Sequence, residues 1–99
     1  MTDDVWPFSD PKNVAVFTVS DIILGRLPIL RVCHDGDDGG WQFLTGGPLP
    51  DEKDWKLVAL EEIVKRDPTI RDLAELPCGW HATRPAAGGN WTTAPQQNE

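Results

Sequence analysis

Ninety-nine residues, 39% of them hydrophobic, with a formal net charge of −7, bound the chain to one small acidic domain with a single core. Sixteen acidic against nine basic side chains repel phosphate backbones and anionic headgroups, which argues against nucleic acid or a membrane as partner and favours a basic protein. The simplest role of that charge is solubility.

In chain order, residues 1–12 carry Pro7, Pro11 and three aspartates around Trp6 and Phe8, the composition of an irregular leader with aromatic anchors. They lack the basic start and apolar run of a signal peptide. Segment 13–18 is rich in β-branched and aromatic residues and is the first expected strand. Ser20 is placed to cap a short helical turn through Leu24, closed by Gly25, and Pro28 forbids its continuation. The longest apolar stretch, Val14 to Leu30, is broken by Asp21, Gly25, Arg26 and Pro28, so no helix there spans a membrane. These features predict a cytoplasmic protein whose two cysteines, Cys33 and Cys78, are reduced.

Segments 29–34 and 41–45 flank the turn sequence Asp35–Gly40 and read as a β-hairpin, since Asp and Gly tolerate the backbone a tight turn demands. An acidic loop over 48–54 follows. Residues 55–59 are ambiguous between strand and helix. Helical spacing of Leu60, Ile63 and Val64 predicts a helix over about 58–66, and Asp67-Pro68 caps and starts a second over about 68–76. A last strand over 79–84 stops at Pro85. The tail 86–99 is small, polar and rich in Gly, Pro and Gln, with only Trp91 large, and reads as poorly ordered. The fold class is therefore α+β, a single domain over 13–85 with an antiparallel sheet of about four strands on one or two short helices.

The Asp35, Asp37 and Asp38 cluster resembles a calcium loop, but Gly39 and Gly46 occupy the fifth and twelfth positions where ligands are required, so a solvated hairpin turn is the better account. Cys33, His34, Cys78 and His81 are zinc-ligand types. Adjacent strand residues point to opposite faces, however, so Cys33 and His34 converge poorly, and a packing role is expected for both thiols. No catalytic residue and no cofactor are expected. These four residues are the alternative: a small metal-binding protein or enzyme. Trp41, Phe43 and Trp80 are expected in the core. Trp6, Trp55 and Trp91 lie in polar or Pro/Gly-rich surroundings, where an exposed indole serves binding. Asp51, Glu52, Asp54 and Trp55 together form the candidate contact patch for a basic partner.

Gly40, Trp41 and Phe43, then Asp51, Val58, Leu60, Ile63, Asp67, Pro68, Ile70, Leu73, Pro77, Gly79 and Arg84, form a pattern covering about half the chain. It resembles small bacterial domains of unknown function grouped with the immunity protein 33-like families of polymorphic toxin systems. The resemblance implies shared fold more than shared activity, and it implies a non-enzymatic cytosolic protein that binds and neutralises another protein. A third expectation is a homodimer formed through tryptophans or through the hairpin's outer strand as an open edge.

Overall fold

β-Branched and aromatic residues alternate along Ala15–Val19, which forms β1 with Val16 and Thr18 turned inward and Ala15 and Phe17 outward. The computed structural model describes residues 6–48 and 50–96. It contains five further strands: β2 (Arg31–His34), β3 (Trp41–Leu44), β4 (Trp55–Ala59), β5 (Trp80–Thr83) and β6 (Thr92–Pro95). All six join one sheet in the order β4-β1-β3-β2-β5-β6. The α+β class is as expected, and the details differ in four ways.

First, the sheet has six strands rather than about four, because β4 and β6 join it. The ambiguous segment 55–59 resolves as a strand since it pairs with β1 along its whole length, Ala15 opposite Ala59 through Val19 opposite Trp55. β6 falls in the stretch expected as a tail; it pairs with β5 from Trp80–Pro95 to Thr83–Thr92. Pro95 is tolerated there because β6 is an edge strand.

Second, the sheet is mixed rather than antiparallel. β1 runs parallel to β3, with Phe17 beside Gln42, because the β2–β3 hairpin inserts β3 between β1 and β2. Thr18 bridges this pair, its buried hydroxyl donating to Phe43 O at 3.0 Å. The hairpin therefore lies at the sheet centre, and its outer strand is not an open edge; the edges are β4 and β6.

Third, the helix expected from about 58 is α2, Leu60–Arg66. It starts two residues late because Val58 and Ala59 are held by β1. Its first amides are capped by main chain entering β1, Leu60 N donating to Val14 O at 2.9 Å and Glu61 N to Lys12 O at 3.0 Å. Fourth, the second helix is a 3-10 turn, Pro68–Leu73. Asp67 caps it as expected, accepting from Thr69 N at 3.1 Å. The short α1 (Ser20–Ile23) has no side-chain cap, because Ser20 Oγ donates instead to Asp54 O at 3.3 Å. Gly25, at φ 75°, closes that turn as the sequence indicates.

Strand alternation gives the sheet two unlike faces. One carries Val16, Val32, Trp41, Phe43 and Ala82, none more than 2% exposed. Leu60, Ile63, Ile70 and Leu73 supply the buried side of the helical layer in the same core. Phe8 closes one end, its ring meeting Trp41 edge-on at 5.6 Å. Trp80, expected as core, is only half-buried against it, at the start of β5, whereas Ala82 on the same strand is fully buried. Residues 1–5 of the expected leader and 97–99 of the expected tail lie outside the described residues.

Candidate functional site

The opposite sheet face is largely open at the β1–β4 end. Phe17 and Leu57 are directly paired across these strands and project from this face, 49% and 60% exposed. Trp55, paired with Val19 one step along, is half-buried and sets its ring edge-on to Phe17 at 6.0 Å. The three side chains form one contiguous apolar strip. Isolated exposed apolar residues are ordinary, and adjacent ones on a sheet face make this strip the candidate site.

An acidic lip borders the strip. Asp51 precedes a 3-10 turn, Glu52–Asp54, that leads into β4; Asp51 and Glu52 are exposed, and Asp54 is half-buried. The turn is closed by Asp54 N donating to Asp51 O at 2.9 Å. Beside it lies a cleft of about 240 Å³, lined in part by Val19, Asp21, Leu27, Arg31, Leu44 and Asp54. Leu24 and Leu27, 60% and 47% exposed, follow β1 and α1. The four candidate residues Asp51, Glu52, Asp54 and Trp55 thus lie on one ledge, with exposed Lys53 between Glu52 and Asp54, and the structure adds Phe17 and Leu57 beside Trp55. Sequence reasoning missed these two because alternation alone does not tell which face of a strand a helix will cover.

The expected exposure of Trp6, Trp55 and Trp91 is only partly met, since all three are half-buried. Trp6 Nε1 donates to Asp10 O at 2.6 Å, and Trp91 lies over the Arg84 guanidinium at 4.1 Å.

The alternative Cys/His set divides between the two faces. Cys33 and His81 are register partners on the face away from the helical layer, whereas His34 pairs with Trp41 and Trp80 on the other. His34 stacks on Trp41 at 3.8 Å, and Cys78 Sγ lies 3.7 Å from His34 Nε2. Two pairs separated by a sheet do not make a tetrahedral site, and among the described residues no three metal-binding side chains converge. The packing role expected for both thiols holds for Cys33, which is buried, and fails for Cys78, which is exposed. The aspartate cluster is a hairpin turn in which Asp35 and Asp38 carboxylates accept the amides of Asp37 and Gly40, each at 2.9 Å.

Comparison with protein-family models, curated proteins and solved structures finds no match. Among the described residues, no helix is long and apolar enough to cross a membrane.

Proposed function

We propose that the protein is a non-enzymatic protein-binding module that docks a basic partner on the open β1–β4 face. The carrying observation is the exposed Phe17–Leu57 pair beside the acidic ledge of Asp51, Glu52 and Asp54. An apolar strip supplies burial energy on contact, and a charged border supplies orientation and encounter rate. A net charge of −7 extends the same attraction over the whole surface. The likeness to immunity proteins fits this reading: a cytosolic protein that neutralises a basic target by occupying its surface.

The test is capture from native lysate by the tagged wild type and by the triple variant D51K/E52K/D54K, followed by affinity measurement at two salt concentrations. A basic protein retained at equal stoichiometry by the wild type, bound at least about 10-fold more weakly by the variant and weakened by salt, supports the proposal. The melting temperature should change little, since surface substitutions rarely shift stability far. Undiminished affinity in the variant removes this ledge as the contact surface.

A further inference from the structure

Beyond the β1–β4 face, the chain holds a reactive-thiol arrangement that the binding role does not use. Cys78 is exposed, and its Sγ lies 3.7 Å from His34 Nε2. The other ring nitrogen, Nδ1, is 2.7 Å from Leu76 O. A carbonyl oxygen only accepts, so Nδ1 carries a proton, and in the neutral ring it is Nε2 that presents a lone pair to the thiol. The imidazole is held in that orientation by stacking on buried Trp41 at 3.8 Å, only 11° from parallel. Trp41 is fixed in turn, its Nε1 donating to Asp10 Oδ2 at 2.7 Å.

The backbone fixes the thiol from its own side. Gly79, at φ 84°, turns the chain immediately after Cys78, and its N–H donates to His34 O at 2.7 Å. Base and nucleophile are therefore tied through main chain as well as through the side-chain contact. A thiol beside an imidazole nitrogen oriented to accept its proton is the arrangement that activates a cysteine nucleophile.

We infer that Cys78 is a site of reversible S-thiolation, with His34 as its base and an organic disulfide as co-reactant. The Cys78 thiol proton passes to His34 Nε2, and the thiolate attacks one sulfur of the disulfide. A Cys78 Sγ–S bond forms as the S–S bond breaks, and the departing thiolate takes the proton back from Nε2. Cys78 is oxidised to a mixed disulfide and the other half of the reagent is reduced to a free thiol. Cys33 is buried and belongs to the opposite sheet face, so it does not resolve the adduct internally, and the modification persists until an external thiol removes it.

The experiment treats the full chain with oxidised glutathione at neutral pH and follows intact mass with peptide mapping. The wild type, C33S, C78S and H34Q variants are compared, with N-acetylcysteine as an unassisted thiol. The expected result is one adduct, mapped to Cys78, forming at least about 10-fold faster than on N-acetylcysteine. C33S should behave as wild type, C78S should form no adduct on that timescale, and folded H34Q should lose the rate advantage. In denaturant, wild type and H34Q should react alike. An adduct on Cys33, a Cys78 rate no faster than N-acetylcysteine, or a folded H34Q at the wild-type rate would each overturn the inference. The comparison of wild type with N-acetylcysteine decides the matter even where H34Q does not fold.

Discussion

Arg84 joins three separate segments of the chain. It is wholly shielded from solvent, with Nε and Nη2 donating to Ile29 O at 3.0 and 2.8 Å. Nη1 donates to Thr69 Oγ1 at 2.9 Å, and Nη2 to Asp67 Oδ2 at 2.6 Å. The planar guanidinium fork thus ties the end of β5 to the chain entering β2 and to the cap of the 3-10 turn. Removing it takes the counter-charge from Asp67, which keeps only its Thr69 hydrogen bonds, and the side-chain donors from Ile29 O, so R84A is expected to cost about 3–5 kcal/mol in urea unfolding. A cost under about 1 kcal/mol would mean that water replaces the fork without loss. Asp67 adds a pH dependence. Burial opposes its ionisation, but hydrogen bonds from Thr69 and Arg84, with the guanidinium charge, outweigh burial and hold its pKa below the ordinary carboxylate value. A lowered folded pKa contributes stability that is fully present above the unfolded value, near 4, and is lost as pH falls through the lower folded one. The stability gap between wild type and D67N should therefore be constant above about pH 5 and shrink as the pH drops below about 4. A gap that does not change with pH would mean that the carboxylate has the same pKa folded and unfolded.

At the scale of elements, the informative case is β6. Its residues Thr92 and Thr93 are exposed, and their composition reads as tail. What recruits them is an unpaired edge on β5 and two anchors on either side of the strand. Trp91 covers the Arg84 guanidinium. Gln96 N donates to Gly79 O at 2.7 Å, while Gln96 Nε2 donates to Trp80 O at 3.0 Å and His34 O at 3.2 Å. Deleting residues 86–99 strips these contacts and bares the edge, and should lower the melting temperature by at least about 4–8 °C, the equivalent of about 1 kcal/mol in a domain of this size. An unchanged melting temperature would vindicate the reading of this stretch as a tail. The hairpin and α2 were readable because their signals are local: turn residues between two short apolar runs, and helical spacing of Leu60, Ile63 and Val64. β4 was not, because Trp55–Ala59 suits either state and its pairing with β1 is a contact between distant segments.

At the scale of the molecule, the helical layer covers one face of the sheet and the β1–β4 end of the other is left open, so the protein presents an apolar strip framed by acid. The candidate ledge Asp51, Glu52, Asp54 and Trp55 was visible in the sequence as a run of charge beside an indole, since its members are neighbours in the chain. Phe17 was not, because it reaches the ledge only through strand pairing. The division of Cys33, His34, Cys78 and His81 into two pairs likewise depends on register: strand alternation predicts that the adjacent pair Cys33-His34 separates, but not that Cys78 lands beside His34 across the molecule. The sequence by itself determined the α+β class, the hairpin, the capped turn after α2 and the acidic character, because these follow from composition and from interactions a few residues apart. Only the tertiary structure decided the sheet order, the parallel β1–β3 pair, the recruitment of β4 and β6, and which faces are open. Those depend on pairing between distant segments, where the sum of buried surface and satisfied main-chain groups outweighs local preference.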